Sequence, residues 1–478
     1  MGILFVIALF LAIRLINLTL LPIFADEAIY IRWAQLIWQK TYYFFIPLSD
    51  GKTPLFMWLL APLLKLGADP LLTGRLLSVI SGLATLIGVY FLVKTLFDKK
   101  TALVAAILVI FQPFLLFYDR LSIVDSLLTA LTVWSFYVTY LLLTKPSIKL
   151  GIILGLLAGA VLLTKPSGLL FLLLNTLLLF LFPLKKIKTL VKPGVVAAVI
   201  SLGLYNLLRL SDAFHLINSR SSDYLRSSQE IIHGFTQYFF PTFKVFFSWL
   251  VNYLSWPALL MLAVSLFLAV TKPAKKILIF FIWIIIPFLI QVSIGKIIYP
   301  RYLLPIIPLV AIILSWGAIQ LWQKNKLISL FLVAVIFTTW LRFDWWLLTN
   351  PALAPLDPWE RSQYLQQWSA GYGLKEIKDY LNNLPKDKLI LVATEGSFGT
   401  LPDGLQIFFN QSDHIQILGV GFPDKTVIPA MEQALLSGQS VYLVVNAHRY
   451  NLSASNRLTL ISEYPRQGGE KLVFYEVH

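Results

Sequence analysis

The sequence contains no cysteine, and its 478 residues include only five histidines. Without cysteine the chain forms neither a disulfide nor a thiolate-bound metal site. The histidines show no spacing typical of metal ligands; they are His215, His233, His414, His448 and His478. The sequence therefore predicts no cofactor, and a divalent metal is left as a possible but unsupported alternative.

Charged residues are also scarce. They make up 13% of the chain, whereas hydrophobic residues make up 58%, and a soluble protein contains roughly 25% charged residues. The apolar residues fall in blocks of about 18–22, the length of a helix that crosses a bilayer. This composition predicts a mainly α, polytopic membrane protein in contact with membrane lipids. About eleven transmembrane helices are predicted, at 3–22, 74–94, 101–118, 122–143, 150–164, 167–184, 194–210, 254–270, 277–294, 303–322 and 327–348.

The net charge of +15 is unevenly distributed along the chain. Residues 1–349 contain 29 basic and 11 acidic residues, whereas residues 350–478 contain 10 and 13. The basic excess lies between the hydrophobic blocks and forms no basic and aromatic face, so nucleic acid is not a predicted partner.

Alternate connections between the spans differ in charge, and one set is rich in lysine with a single acid, Asp98. By the positive-inside rule this set faces the cytoplasm. We therefore predict a multi-pass plasma-membrane protein whose N-terminus is cytoplasmic. The first loop, the 211–253 connection and the C-terminal region are predicted to lie outside. The lysines of the cytoplasmic set are Lys94, Lys99, Lys100, Lys145, Lys149, Lys185, Lys186, Lys188, Lys192, Lys272, Lys275, Lys276, Lys324 and Lys326.

The outer connections carry patterns of their own. Residues 27–40 and 54–66 have the apolar spacing of helices that lie in the membrane interface. Residues 211–253 are polar at first and then aromatic, which fits either an ordered lid over a site or a mobile loop.

The composition changes near residue 350, and three parts are predicted: a transmembrane catalytic domain at 1–349, a proline-rich linker at 350–358 and an outer α/β domain at 359–478. Helical patterns at 374–384 and 427–436 alternate there with short strands at 389–394, 415–418, 441–446 and 471–476, which is typical of a small α/β domain. The turn at 395–399, Glu395-Gly396-Ser397-Phe398-Gly399, matches neither a phosphate loop nor a nucleophile elbow. Two interpretations of this turn are left open: an ordinary strand-to-helix turn and a contact with a ligand.

The acidic pair Asp26 and Glu27 directly follows the first hydrophobic span. Carboxylates are favourable at the N-terminus of a helix, so capping is one interpretation. One carboxylate suffices for a cap, however, and two adjacent carboxylates repel each other, which favours a functional role.

Other charged residues lie at the same predicted membrane boundary. Asp125 lies one turn into an apolar span, where a carboxylate is costly unless it is paired or hydrated. A structural pair with Arg120 is one interpretation and a site is the other. Lys165 is placed either to reach the lipid interface or to serve a site. Lys52 and Arg301 lie at headgroup depth.

Together these residues suit one chemistry. When a lipid phosphate is the leaving group, cations are needed to stabilise its developing charge. An acceptor hydroxyl needs a carboxylate as general base. Since nucleotide sugars are absent outside the cytoplasm, the predicted donor is a polyprenyl-phosphate-linked sugar.

Six motifs occur in an order that is familiar. They are Phe24-Ala25-Asp26-Glu27-Ala28-Ile29-Tyr30, Lys52-Thr53-Pro54-Leu55-Phe56-Met57-Trp58, Gly74-Arg75-Leu76, Arg120 with Asp125, Thr164-Lys165-Pro166-Ser167-Gly168, and Arg301-Tyr302-Leu303-Leu304-Pro305. Over residues 1–345 the chain resembles the GT-C glycosyltransferases of the protein O-mannosyltransferase and lipid A aminoarabinose transferase families.

This resemblance implies an inverting transfer from an undecaprenyl- or dolichyl-phosphate sugar to a hydroxyl acceptor. It implies that Asp26 is the catalytic carboxylate, with Glu27 beside it, and that Lys52 and Arg301 contact the donor phosphate. The remaining substrate-binding candidates are Asp125, Arg120, Lys165, Tyr302 and Arg75.

The chain also departs from these families. Thr53 replaces the usual first proline of the motif that follows Lys52. No histidine suits the zinc site of the aminoarabinose enzymes, and the β-trefoil module of eukaryotic protein mannosyltransferases is missing. The acceptor, which is a lipid, a glycan or a protein, is left open. The alternatives to an enzyme are a lipid or small-solute transporter and an inactive scaffold.

Overall fold

The computed structural model describes residues 2–67, 69–181, 187–272, 274–422, 427–449 and 457–478. Twenty α-helices and five strands are found in these ranges. The first sixteen helices are α1 Ile3–Leu15, α2 Ala25–Gln39, α3 Leu55–Leu66, α4 Pro70–Leu96, α5 Lys99–Phe111, α6 Pro113–Tyr118, α7 Val124–Thr144, α8 Ile148–Thr164, α9 Gly168–Leu174, α10 Ile187–Asn206, α11 Leu216–Tyr224, α12 Ser228–Leu254, α13 Trp256–Thr271, α14 Lys275–Ile294, α15 Ile307–Lys324 and α16 Lys326–Thr349.

Six of the described helices are long and apolar enough to cross a membrane, or up to seven if α12 and α13, which meet at 101°, form one span. Four shorter apolar helices accompany them, at Ile3–Leu15, Leu55–Leu66, Ile148–Thr164 and Gly168–Leu181. The predicted helical, polytopic architecture is therefore observed. The number of eleven spans stays a prediction, because several predicted spans form helices shorter than a bilayer crossing. Residues 182–186, which include the end of the sixth predicted span, lie outside the described ranges.

The chain forms two compact units. Unit 1 consists of Met1–Ile16, Phe45–Trp58 and Arg75–Leu348, and unit 2 consists of Asn17–Phe44, Leu59–Gly74 and Thr349–His478. Unit 2 thus contains much of the first loop as well as the C-terminal region. The sequence predicts three consecutive parts with boundaries at 349 and 358, which divides the chain differently from these two units. Those boundaries stay a prediction.

Small residues bring two helices of unit 1 close together. Gly151, Gly155 and Gly159 recur every fourth residue along α8, and each faces α10. A Cβ atom at Gly155 would lie 2.8 Å from the backbone oxygen of Ala197. Such small-residue stripes allow close helix packing in membranes, where dispersion contacts drive association.

The 211–253 connection is ordered as helices α11 and α12. The start of α12 has a capping box, since the Ser227 hydroxyl accepts a hydrogen bond from the Glu230 amide, and the Glu230 carboxylate accepts one from the Ser227 amide. This Ser-x-x-Glu pattern is the sequence signal of a helix start. The alternative of a mobile loop is therefore wrong.

Unit 2 contains a mixed sheet of five strands, which are β1 Ile390–Thr394, β2 Ile415–Gly419, β3 Ser440–Asn446, β4 Leu458–Pro465 and β5 Lys471–Val477. Their order in the sheet is β2-β1-β3-β5-β4. β1 is parallel to β2 and β3, whereas β5 is antiparallel to β3 and β4. The predicted strands are β1, β2, β3 and β5, and the prediction missed β4. The α-helices of the C-terminal region are α17 Pro358–Arg361, α18 Leu374–Asn382, α19 Asp403–Phe409 and α20 Pro429–Leu436.

The predicted linker at 350–358 is packed. Ala354 and Leu356 are buried, and the Arg361 guanidinium donates hydrogen bonds to the backbone oxygens of Ala352 and Ala354. The segment is held as part of unit 2.

Candidate functional site

In unit 1, Lys52 belongs to a cluster of alternating charges. Its Nζ lies 3.2 Å from Asp50 Oδ2, and Asp50 Oδ1 lies 2.7 Å from Arg220 Nη2. Gly51 has a φ of +68°, and a Cβ there would lie 2.7 Å from the Arg220 side chain. Glycine thus allows the loop and α11 to approach closely. Two cations flank one carboxylate at a partly exposed position.

Arg220 and Asp50 were not among the predicted site residues. Arg220 follows Lys52 by more than 160 positions, so only the folded chain reveals that they share a carboxylate. The polar start of the 211–253 connection was the one signal available in the sequence.

A second cluster of unit 1 pairs Asp125 with Lys165. Lys165 Nζ lies 2.8 Å from Asp125 Oδ1 and 4.3 Å from the centre of the Tyr302 ring. Asp125 is 2% exposed, so its charge depends on this partner. Arg301, next to Tyr302, stacks on the Tyr299 ring at 4.6 Å. Three predicted site residues are therefore brought together, from α7, the end of α8 and the turn before α15.

The two clusters lie near one end of unit 1. Leu48, from the loop that carries Lys52, packs against Leu163 and Leu208 in a small buried hydrophobic cluster. Leu163 precedes Lys165 by two residues on α8. The hydrophobic contact thus holds the Lys52 loop beside the end of α8.

Arg75 and Arg120 are enclosed by protein. Arg75 is 0% exposed and Arg120 is 7% exposed. Arg120 Nη1 donates hydrogen bonds of 2.7 Å to the backbone oxygens of Arg14 and Ile16. These contacts are structural, and the predicted role of both arginines in substrate binding stays a prediction.

In unit 2, Asp26 and Glu27 occupy the first turn of α2, as the sequence predicts. The two carboxylates differ in surroundings: Asp26 is partly exposed and Glu27 is fully buried. Glu27 Oε2 accepts a hydrogen bond of 3.0 Å from the Phe24 amide at the helix start. Glu27 therefore serves as the cap, which leaves Asp26 as the more accessible carboxylate.

The start of α2 is held by the segment that precedes α18. The Ala25 amide donates to the Ser369 oxygen at 3.1 Å, and the Gly371 amide donates to the Ile23 oxygen at 2.8 Å. The backbone that leads into Asp26 is thereby fixed at two positions. Such support is what a reacting carboxylate needs to keep its geometry.

Two polar side chains of α2 contact residues at the end of α19, and the prediction that α2 lies in the membrane interface stays a prediction. Arg32 donates a hydrogen bond to Asn410 Oδ1, and Gln35 Nε2 donates one of 2.8 Å to the Ile407 oxygen. Tertiary contacts with α19 satisfy these groups in place of solvent.

Among the described residues, no group of three or more His, Asp or Glu side chains is arranged to hold a metal ion.

Comparison with known proteins places the fold. The family of dolichyl-phosphate-mannose-protein mannosyltransferases matches residues 51–207. The crystal structure of ArnT from Cupriavidus metallidurans in the apo state is 14% identical, with a TM-score of 0.63 over 99% of this chain and 97% of that chain. The same protein bound to undecaprenyl phosphate gives a TM-score of 0.62 over the same shares of the two chains.

The oligosaccharyltransferase of Archaeoglobus fulgidus, in a complex with zinc and sulfate, is 12% identical with a TM-score of 0.54, over 93% of this chain and 67% of that chain. No curated protein sequence matches the chain. The predicted resemblance to the GT-C fold is confirmed.

Proposed function

We propose that this protein is an integral-membrane, inverting glycosyltransferase that moves a sugar from a polyprenyl-phosphate donor to a hydroxyl acceptor. The fold supports this function, since the similar ArnT protein has been crystallised with undecaprenyl phosphate. The observation that carries the proposal is the paired set of cations around Asp50 and Asp125 at one end of unit 1. A transporter is not favoured, because the similar solved structures include complexes with undecaprenyl phosphate and with dolichol phosphate.

Asp26 acts as the general base. Its carboxylate takes the proton of the acceptor hydroxyl while the oxygen attacks the anomeric carbon, and the bond from that carbon to the phosphate oxygen breaks on the opposite face. This displacement inverts the anomeric centre. The acceptor oxygen gains the sugar, and the lipid phosphate leaves with the electron pair.

Lys52, Arg220 and Arg301 stabilise the phosphate as its charge develops. Cations that are already in position lower the barrier without reorganisation during the reaction. The Lys165–Asp125 pair orients the sugar or the acceptor. The reaction takes place on the outer face of the membrane, to which the charge distribution assigns the first loop and the C-terminal region.

Replacing the proposed base tests the chemistry. We expect Asp26→Asn to lower sugar transfer by about 100-fold or more, because a general base contributes roughly 10²–10⁴-fold. The measurement is the transfer of labelled sugar from polyprenyl phosphate in isolated membranes. Asp69→Asn is the matched control, since Asp69 is another carboxylate of unit 2 beside a helix start, where it accepts a hydrogen bond from the Leu72 amide at 2.8 Å. Wild-type transfer by Asp26→Asn would remove Asp26 from this role.

Donor binding is tested at Lys52. We expect Lys52→Ala to reduce the amount of polyprenyl phosphate that co-purifies with the protein, because an ammonium group that pairs with phosphate is lost. Mass spectrometry of extracted lipids measures this amount. Lys65→Ala, at a lysine that lies over the Trp38 ring in the other unit, is the control. An unchanged lipid content would argue against the phosphate contact, and absence of any polyprenyl phosphate from the wild type would argue against the donor.

A further inference from the structure

In unit 2, the connections that leave the carboxyl ends of β1 and β3 diverge, and the region between them is called the crevice. β1 lies between β2 and β3 in the sheet. The chain leaves β1 toward β2 and leaves β3 toward β4, on the other side of the sheet. Ligands of α/β sheets bind at such switch points, because the two connections diverge and leave a gap.

The floor of this crevice is polar and buried. Glu395, which follows β1, is 2% exposed. It accepts hydrogen bonds from the Asn446 side chain at 2.6 Å and from the Asn446 backbone amide at 2.9 Å. Arg449 Nη1 lies 3.8 Å from the same carboxylate. The Glu395 charge is thus compensated within the crevice.

Several buried polar atoms at this edge have no hydrogen-bond partner among the described residues. They are Thr394 Oγ1, Asn446 Oδ1 and both Nη atoms of Arg466. Arg466 is 4% exposed and is fixed by a hydrogen bond of 2.9 Å from its Nε to the Ala370 oxygen. Burial lowers the pKa of Arg466 to about 10, and Glu470 and Glu395 oppose the change. Buried polar groups without partners are rare in folded proteins, and a ligand is one way to satisfy them.

Aromatic rings form the rim. The Arg449 guanidinium lies 4.1 Å from the centre of the Trp368 ring and 5.8 Å from that of Phe422. Phe422 is 63% exposed and Phe398 is 62% exposed. Their loops are joined by reciprocal backbone hydrogen bonds between Gly396 and Gly421, of 2.7 and 3.1 Å. Two exposed rings therefore stand beside a polar floor.

This combination fits a carbohydrate. A pyranose ring has an apolar C–H face that packs on an aromatic ring, and hydroxyl groups that both donate and accept hydrogen bonds. The positive charge of Arg449 is compensated by the nearby carboxylate of Glu395, and Arg466 interacts electrostatically with Glu470. The crevice therefore favours a neutral hydroxyl-rich ligand over a phosphate. An extended peptide binds most readily at an open strand edge, and β1 and β3 are both interior strands.

The crevice also lies next to Asp26 in the same unit. Trp368 is followed by Ser369, whose oxygen accepts a hydrogen bond from the Ala25 amide. Ala370, which holds Arg466, forms a bridge with Phe24. A glycan bound at the rim would lie beside the segment that holds the start of α2.

We propose that this crevice, formed by Trp368, Glu395, Phe422, Asn446, Arg449 and Arg466, binds a glycan acceptor, an inference that rests on the proposed function. The acceptor hydroxyl is then presented to Asp26 from a rigid site. The α/β region thereby selects the acceptor.

Binding to the purified full-length protein tests this site without turnover. The probes are the neutral tetrasaccharides cellotetraose, mannotetraose and chitotetraose, with the anionic tetragalacturonic acid as the charged comparison, titrated by calorimetry against the wild type and against Asp26→Asn. We expect saturable binding of at least one neutral tetrasaccharide to both proteins. Phe422→Ala and Arg449→Ala should bind it at least about tenfold more weakly, because aromatic and arginine anchors dominate binding sites.

The matched controls are Trp359→Ala, at an aromatic residue that is 48% exposed in the same unit, and Arg457→Ala, at an arginine paired with Glu432 on the surface. Both should bind as the wild type does. No binding of any tetrasaccharide at millimolar concentration, or equal binding by Phe422→Ala and the wild type, overturns the proposal. Binding of a serine- and threonine-rich peptide in place of the saccharides also overturns it. Failure of the proposed function is distinguishable, because it appears as unchanged transfer by Asp26→Asn while glycan binding is retained.

Discussion

At the scale of single residues, folding assigns different roles to neighbouring charges. Glu27 and Asp26 are adjacent in the sequence, yet Glu27 is buried as a helix cap and Asp26 is partly exposed. The sequence identified the pair and the capping alternative, but it did not distinguish the two carboxylates. That distinction depends on which side of α2 packs against the rest of unit 2, and solvent exposure decides which carboxylate can meet a substrate.

At the same scale, the buried carboxyl group of Asp403 makes the stability of the folded state depend on pH. Burial raises the pKa of Asp403 to about 6, opposed by the hydrogen bond from the Gly399 amide and by Arg32. The folded state therefore binds a proton more tightly than the unfolded state, and stability falls as the pH rises from about 4 to 6. The loss is at most about 3 kcal/mol, at about 1.36 kcal/mol for each pKa unit.

We expect Asp403→Asn to remove this loss. Hydrogen exchange of β1 amides, compared between variant and wild type at pH 4 and pH 7, measures it. The variant should be better protected than the wild type at pH 7 and should lose this advantage at pH 4. Asp413→Asn, at an exposed aspartate of the same region, is the control. Equal protection of wild type and Asp403→Asn at pH 7 would contradict the prediction.

At the scale of helices, a buried ion pair attaches α1 to its neighbours. Arg14 Nε lies 3.2 Å from Asp119 Oδ2, and the two side chains are 0% and 4% exposed. Arg14 also donates hydrogen bonds to the backbone oxygens of Ile110 and Val109. The pair joins α1 to the end of α5 and to the turn after α6.

We expect Asp119→Leu to lower the thermal stability of the purified protein strongly. Removing one partner leaves a buried charge unpaired, which costs roughly 3–5 kcal/mol in proteins. The double variant Arg14→Met with Asp119→Leu should regain part of the loss, because the unpaired guanidinium is then removed as well, while the buried Asp344 carboxyl near Arg14 stays in place. Thermal unfolding in detergent provides the measurement, and a double variant no more stable than Asp119→Leu would show that packing alone is responsible.

At the scale of the whole molecule, the absence of cysteine makes the predicted orientation measurable. Single cysteines can be placed at Lys149, in a connection of the lysine-rich set, and at Ser437, an exposed residue of the C-terminal region. In intact cells a membrane-impermeant maleimide should label Ser437→Cys and spare Lys149→Cys until the membrane is permeabilised. Labelling of Lys149→Cys alone would show that the orientation is the reverse of the predicted one.

The sequence by itself determined the membrane class, the main helices and most strands of the α/β region, because burial in lipid and strand formation depend on local composition and periodicity. Local capping patterns also marked the starts of α2 and α12, although the second was not recognised. Tertiary structure alone decided which charges meet. Asp125 pairs with Lys165, Asp50 joins Lys52 to Arg220, and Glu395 joins Asn446 to Arg449. Each of these contacts except Asp50–Lys52 links residues at least forty positions apart, so their geometry depends on how helices and strands pack.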